Sequence, residues 1–257
     1  MFSMHSSGRI TRAAAFLGLA LLLGACSDAT GANAHALSLS VTGKSPSAPV
    51  ASRTTPFSPS LDVVVASGTN TITITKAQIV LSKIELEPGS ATATCTGTEG
   101  DDCPELKLDP SLVDLPLDGT TKTDFGASIP AGTYRGVELK IAPVSSGDAS
   151  SATFLTAHPG FNGVSVHVEG TYNGQAFVYN GSVDASIEAE FSTPMSLTSG
   201  SGSNLTMFVD VASWFKDSSG NAIDPSSSAN ASTIADQIKR SFRVFEDENK
   251  DGVEDHR

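Results

Sequence analysis

Hydrophobic and polar residues alternate in short runs along most of this chain, and turn residues separate the runs. In the clearest run, Val166 and Val168 lie on one face and polar residues on the other. The dipeptide Asn173-Gly174 then favours a type I′ turn, with a returning strand at 176–179. This segment predicts a β-hairpin.

A longer strand is expected at 77–87, where hydrophobic residues fill both faces at its start, as in a strand at the centre of a sheet. Turn signals recur between short strands over residues 61–228. The pattern predicts an all-β fold, an antiparallel β-sandwich of about seven to nine strands over that range.

One segment near the C-terminus has helical spacing instead. Ile234, Ile238 and Phe242 fall on one stripe of a helix predicted over 232–245. We expect this helix to pack on the sandwich or cross its edge, within a C-terminal segment of residues 229–257.

Residues 26–60 differ in composition from the strands that follow. They are rich in Ser, Ala, Thr, Gly and Pro and contain little to bury, so they predict a flexible or extended tether. Residues 37–41 alternate as Leu-Ser-Leu-Ser-Val, and as a first strand they would divide the tether into two parts.

The N-terminus has the features of an export signal. Arg9 and Arg12 precede a run of apolar and small residues at 13–25, with no acidic residue before it ends. This run is shorter than the ~20 residues that span a bilayer, which favours a cleaved signal peptide over residues 1–25. A short membrane anchor is the alternative.

The signal ends in Leu23-Gly24-Ala25-Cys26, which resembles a bacterial lipobox. The resemblance implies that Cys26 receives diacylglycerol and becomes the new N-terminus, and two or three acyl chains hold a protein stably on a membrane. By resemblance to Gram-negative sorting, Ser27 favours the outer membrane. An ordinary secretory signal with an unrelated cysteine is the alternative.

The charge balance limits the partners. The formal net charge is −12, and removal of the leader with its two arginines makes it −14. An acidic protein of this kind does not bind nucleic acid through phosphate contacts. The charge favours cations, basic surfaces or neutral glycans as partners, and we expect a protein, a glycan or a small molecule as ligand, besides the membrane itself. The alternative, that the acidity only keeps the protein soluble, is the interpretation we favour.

Cys95 and Cys103 flank a polar, glycine-containing loop. In an oxidising envelope such a pair predicts a disulfide, which would stabilise the fold by about 2–3 kcal/mol in the chain-entropy model. A metal pair is the alternative, although no histidine flanks the loop.

Several segments resemble a family of uncharacterised bacterial lipoproteins. They are 74–78, 84–86, 113–115 and, most typically, Pro-Ala-Gly-Thr-Tyr at 130–134. The resemblance covers about residues 61–215 and implies a transthyretin- or immunoglobulin-like β-sandwich. Its motifs are turns and strand patterns, so it implies no activity.

The most specific motif lies at the C-terminus and resembles the calcium loops of EF-hands, dockerins and thrombospondin type 3 repeats. Asp247, Asn249 and Asp251 occupy loop positions one, three and five, and Gly252 occupies position six, where the chain turns sharply. Side-chain oxygens at this spacing suit a hard cation such as Ca²⁺.

Two further ligands complete the predicted site. Val253 would offer its carbonyl oxygen, and Asp255 lies at position nine. Position twelve would lie beyond Arg257, so another loop or a terminal carboxylate would have to close the site. We expect a structural role for the ion; a solvated acidic tail is the alternative.

Other residues offer weaker candidates for chemistry. His158, His167 and Glu169 are conceivable zinc ligands, but they lack ligand spacing. An alternative of another class is a hydrolase of glycans or esters whose site combines His158, Asp184 and Glu188. No Gly-x-Ser-x-Gly elbow or phosphate-binding loop is present in the sequence.

The single tryptophan, Trp214, precedes Phe215. Such a pair serves as an exposed carbohydrate platform or as a core anchor, and we favour the core. The sequence as a whole predicts a lipid-anchored, non-enzymatic binding or structural module of the bacterial cell envelope. The hydrolase and a small-ligand carrier are the alternatives.

Overall fold

A 19-residue strand, β3 (Asn70–Pro88), runs through the middle of the larger of two β-sheets. The computed structural model describes residues 34–43, 62–89, 109–130, 132–147, 151–197 and 202–255. Within these ranges the chain forms eleven strands and two α-helices. The other elements are β1 (Ala34–Thr42), β2 (Val63–Ser67), β4 (Ser111–Asp114), β5 (Thr121–Pro130), β6 (Gly132–Ile141), α1 (Ala152–Ala157), β7 (Val166–Tyr172), β8 (Gln175–Gly181), β9 (Ala185–Leu197), β10 (Ser203–Val209), α2 (Ala231–Arg240) and β11 (Phe242–Glu246).

The larger sheet has the order β8-β7-β3-β6-β9, and β2 and β4 also pair with β3. Ile72 and Ile74 have partners in both β2 and β7, so these two strands lie on opposite sides of β3. The smaller sheet has the order β11-β10-β1-β5. Its pairs are antiparallel except β1 with β10, which run parallel.

β3 buries both of its faces, as its sequence predicts. Ile79 and Leu81 belong to the main core, whereas Val80 on the other face packs in a second cluster with Phe154 and Phe161. This second cluster holds α1 against the larger sheet. It thereby positions the segment that lines the cleft described below.

Trp214 and Phe215 are fully buried. The indole Nε1 of Trp214 donates a hydrogen bond to Ser241 Oγ at 2.7 Å, which gives the buried N–H its partner. The Phe215 ring meets Phe177 edge-on, with centroids 5.5 Å apart. The prediction of a core anchor is confirmed.

The all-β sandwich with a C-terminal helix is confirmed. The hairpin of β7 and β8 is also confirmed: Asn173 and Gly174 have φ of 49° and 80°, as a type I′ turn requires. The range 61–228 contains nine described strands, β2 to β10, as expected, and β1 and β11 lie outside that range. One pair, β1 with β10, is parallel, which the sequence did not predict.

β1 lies inside the segment predicted as a tether and is a central strand of the smaller sheet. Leu37, Leu39 and Val41 are buried, and β10 and β5 pair with its two sides. The alternation at 37–41 was therefore the relevant signal. The two neighbouring strands pair with its backbone, and its apolar side chains lie in the main core, which the composition of the segment did not suggest.

The predicted helix over 232–245 is too long. α2 ends at Arg240, and Phe242 begins β11, which pairs antiparallel with β10. Phe242 and Val244 are buried while Arg243 is exposed, so the period changes from helix to strand after Ser241. The sandwich thus extends beyond residue 228, because β11 completes the smaller sheet.

The leader, Cys26, Cys95 and Cys103 lie outside the described residues. Signal cleavage, lipidation and the disulfide therefore stay predictions. In the part of the chain that the structure describes, no helix is long and apolar enough to cross a bilayer.

Candidate functional site

The C-terminal loop is built around a buried carboxylate. Asp247 is fully buried; its Oδ1 accepts a hydrogen bond from Asp251 N at 3.0 Å. Its Oδ2 accepts from Gly252 N at 2.9 Å and from Thr206 Oγ1 at 2.7 Å. The first predicted calcium ligand thus ties the loop to β10.

The other predicted ligands also accept hydrogen bonds within the loop. Asn249 Oδ1 accepts from Asp251 N at 2.9 Å, and Asp251 Oδ1 accepts from Val253 N at 2.8 Å. These are Asx turns, in which a short polar side chain bonds to the backbone two residues later. Asp255 Oδ2 accepts from Glu248 N at 2.5 Å.

The loop packs on the smaller sheet. Gly252 has φ of 80°, and a Cβ there would lie 2.5 Å from Thr121 Oγ1 and 3.2 Å from Thr42 Oγ1. The described residues contain no group of three or more His, Cys, Asp or Glu side chains placed to hold a metal. Calcium binding by this loop stays a prediction. Asp247 and Gly252 are buried and attach the loop to the sheet, whereas residues 248–251 and Asp255 are exposed.

Asn204 connects this loop to β1. Its Nδ2 donates to the Asp247 carbonyl at 2.8 Å, and its Oδ1 accepts from Ser38 Oγ at 2.7 Å and Ser40 Oγ at 3.0 Å. Sequence reasoning missed this network. The serines that alternate with leucines in β1 were its only sign.

His158 and His167 share an aromatic neighbour, and His167 also pairs with a carboxylate. His167 and Glu169 come together, with Nε2 to Oε1 at 2.9 Å, and the hydrogen bond from His167 and that from Lys76 hold the pKa of Glu169 below its ordinary value. The Phe161 ring contacts both His158 and His167, with centroid distances of 6.4 and 5.9 Å. The three conceivable zinc ligands do not form one cluster among the described residues.

The residues of the hydrolase alternative have separate surroundings. Asp184 lies 3.6 Å from Lys140 Nζ, and Glu188 is exposed on β9 opposite Glu138. His158 lines a cleft to which neither Asp184 nor Glu188 contributes. The described structure therefore does not bring the three residues to one site.

That cleft has a volume of about 350 Å³ and lies where β4, β5 and α1 meet. Its apolar lining residues include Leu112, Val113 and Phe154. Its polar lining residues are Asp109, Ser111, Thr153, His158 and Asp124, the last on β5.

Asp124 sits at an irregularity of its strand. Leu39 of β1 pairs with Phe125 and Ser40 pairs with Thr123, so Asp124 is the extra residue of a β-bulge. Bulges bend a strand and redirect a side chain, and they are common beside functional sites. Here the bulge places the Asp124 side chain at the cleft.

Only one of the two carboxylate oxygens of Asp124 has a polar partner. Oδ1 lies 3.2 Å from Lys122 Nζ, while the side chain as a whole is 13% exposed. Among the described residues, Oδ2 is the one buried side-chain nitrogen or oxygen without a hydrogen-bond partner. An unsatisfied buried acceptor costs about 1–3 kcal/mol, which a ligand that donates a hydrogen bond would recover.

Sequence reasoning missed Asp124. It lies within the range 61–228 predicted to form the sandwich, and aspartate is depleted in strands, which was the only available signal. The bulge depends on the pairing with β1, and no local sequence pattern predicts it.

Comparison of the chain with models of protein families, with curated proteins and with solved structures finds no match.

Proposed function

We propose that the protein is a lipid-anchored, non-enzymatic binding module of the bacterial cell envelope, whose ligand occupies the cleft at Asp124. The observation that carries the binding role is Asp124, which lines the cleft and whose Oδ2 is buried without a hydrogen-bond partner. Small-molecule sites typically combine an apolar wall with a few polar groups in about 300–1,000 Å³, so this cleft has the size for a small ligand.

The anchoring rests on the leader and on the lipobox-like sequence that ends at Cys26. Metabolic labelling with an alkyne fatty acid should label the full chain, and a Cys26→Ser variant should lose the label and leave the membrane fraction. Label that persists in the variant, or a wild-type protein without label, would contradict the anchor.

The binding role is tested by blocking the cleft. Ala157 and Ala152 are both exposed on α1, but only Ala157 lines the cleft. Ala157→Trp should therefore cover the cleft, and Ala152→Trp is the matched control on the same helix.

Ligand-observed NMR on the full chain in phosphatidylcholine nanodiscs would screen organic cations, carboxylates and neutral sugars. We expect at least one class to bind, to lose binding in Ala157→Trp and to keep it in Ala152→Trp. If no class shows this difference, the cleft is not a binding site and the proposal fails.

A structural calcium ion in the C-terminal loop is a further part of the proposal. Asn249, Asp251, Val253 and Asp255 would supply its oxygens, with Asp247 as the buried base of the loop. Since Asp247 ties the loop to β10, the ion would stabilise the attachment of the loop to the smaller sheet. Residues 247–255 do not line the cleft, so binding there should not need calcium.

A further inference from the structure

We propose that the cleft selects an organic ammonium compound, in which a protonated amine is attached to an apolar group. Asp124 Oδ2 would accept the hydrogen bond from the amine, and the apolar group would pack on Phe154. The inference rests on the proposed binding role of the cleft and adds the chemical class of the ligand.

The position of the carboxylate is built into the strand pairing. Thr123 and Phe125 keep their partners in β1, and Thr123 Oγ1 lies 3.1 Å from Ser40 Oγ. The register is therefore held on both sides of Asp124, and the carboxylate stays at the cleft. A site whose polar group is fixed before binding loses less entropy when the ligand arrives.

The hydrogen-bonding needs of Oδ2 define the polar part of the ligand. An ionised carboxylate only accepts hydrogen bonds, so Oδ2 needs a donor. A cationic donor forms a stronger bond than a neutral one, because the charges add to the hydrogen bond. The described lining includes a second carboxylate, Asp109, and no lysine or arginine, so the charge at the cleft also favours a cation.

Lys122 does not remove this preference. Its Nζ lies on the Oδ1 side of Asp124, its side chain is 52% exposed, and it does not line the cleft. An ion pair with an exposed lysine is weakened by the surrounding water and contributes little. The carboxylate therefore keeps an oxygen, and much of its charge, for a ligand.

The apolar residues that line the cleft define the apolar part of the ligand. Phe154 is buried, with 6% of its surface exposed, and Leu112 and Val113 extend the apolar surface toward β4. An amine with an aryl or alkyl group satisfies the carboxylate and the wall together, whereas a water molecule satisfies only the carboxylate.

The test uses three probes of similar shape on the full chain in phosphatidylcholine nanodiscs: phenethylamine, the neutral phenethyl alcohol and the anionic phenylacetate. Binding at the cleft is the part of the signal that Ala157→Trp removes, which subtracts partition into lipid. The variants are Asp124→Asn, which keeps the shape of the side chain, and Asp184→Asn as a control with an exposed aspartate that does not line the cleft.

We expect phenethylamine to bind roughly tenfold or more tightly than either other probe, because a hydrogen bond to a charged group contributes about 1.5–3 kcal/mol. Asp124→Asn should remove that advantage, and Asp184→Asn should leave it unchanged. Thermal melts establish whether each variant folds. Should Asp124→Asn not fold, the comparison of the three probes on the wild-type protein still decides the question.

Three results would overturn the inference. Equal or tighter binding of phenethyl alcohol or phenylacetate at the cleft would reject an ammonium ligand and leave the binding role intact. An affinity for phenethylamine that Asp124→Asn does not change would have the same consequence. If no probe, and no ligand of the wider screen, binds at the cleft, the binding role fails as well.

A free amine and a lysine side chain of a partner protein carry the same ammonium group. N-acetyl-lysine methylamide, with N-acetyl-norleucine methylamide as its uncharged counterpart, separates the two sources. Tighter cleft binding of the lysine compound than of phenethylamine would assign the site to a protein partner, and the reverse order to a free amine. Either order, with the norleucine compound weaker, supports the ammonium class.

Discussion

Asn204 and Asp247 form a reciprocal pair. Asn204 Nδ2 donates to the Asp247 carbonyl at 2.8 Å, and the Asp247 N–H donates to the Asn204 carbonyl at 3.1 Å. The first bond adds a side-chain contact where the ladder between β10 and β11 ends. Through it, the last strand and the loop that follows depend on a polar residue in the middle of the smaller sheet.

Replacement of Asn204 by alanine should destabilise the fold by about 2–4 kcal/mol. The change removes the hydrogen bonds of Ser38, Ser40 and the Asp247 carbonyl to the buried Asn204 side chain, which is 2% exposed, and leaves each of the three with only a longer contact. Urea unfolding followed by the single tryptophan measures the loss. Asn162→Ala at an exposed asparagine is the control, and an equal effect in both variants would contradict the role of the network.

Gly252→Ala should destabilise more than Gly220→Ala. Both glycines have a left-handed backbone, with φ of 80° and 82°, so both substitutions carry the same backbone cost of about 1–2 kcal/mol. Only at Gly252 would the new Cβ meet a neighbour, Thr121 Oγ1 at 2.5 Å; nothing lies within 4 Å at Gly220. We expect a total of about 2–4 kcal/mol for Gly252→Ala.

A second substitution tests the cause of that difference. In the Gly252→Ala background, Thr121→Ser keeps the hydroxyl and Thr121→Ala removes it, so only Thr121→Ala should restore part of the stability. No recovery with Thr121→Ala would show that the loop does not dock on β5 as described. Thermal melts of the four proteins give the comparison.

Calcium should raise the melting temperature of the wild-type protein, because a ligand that binds only the folded state stabilises it by about 2.7 kcal/mol at a hundredfold excess over Kd. The double variant Asp251→Asn/Asp255→Asn should lose the shift. Asp210→Asn/Asp224→Asn, outside the loop, should keep it. Absence of any shift or heat of binding in the wild-type protein would mean that the spacing serves the Asx turns alone.

The stability of the outer face of the larger sheet should depend on pH through Glu169. The hydrogen bonds from His167 and Lys76 lower the pKa of this carboxyl below its ordinary value of 4.5. A lowered pKa in the folded state means that the carboxylate stabilises the fold above pH 4.5 and that this contribution is lost as the pH falls through the folded value.

Glu169→Gln should therefore be less stable than the wild-type protein at pH 6, and the two should converge as the pH falls well below 4.5. Urea unfolding across this range measures the difference, which should be small because Glu169 is 42% exposed. Glu188→Gln, elsewhere on the larger sheet, controls for net charge. A constant difference at all pH values would rule out the linkage.

Local chemistry in the sequence determined the parts of the fold that need only neighbouring residues. Asn173-Gly174 predicted a hairpin because these two residues tolerate the positive φ of a type I′ turn. The apolar residues on both faces at the start of 77–87 predicted a central strand because residues at period two alternate between faces. The position of Trp214 in the core follows from the cost of exposing a large apolar side chain.

Tertiary structure alone decided what depends on partners distant in sequence. β1 lies parallel to β10, and nothing in the residues of either strand specifies the other as its neighbour. Asp247 has the spacing of a calcium ligand, yet its Oδ2 bonds to Thr206 of β10, which only folding brings close. The bulge at Asp124 arises from the register with β1, because an extra residue in a strand is defined only against the strand beside it.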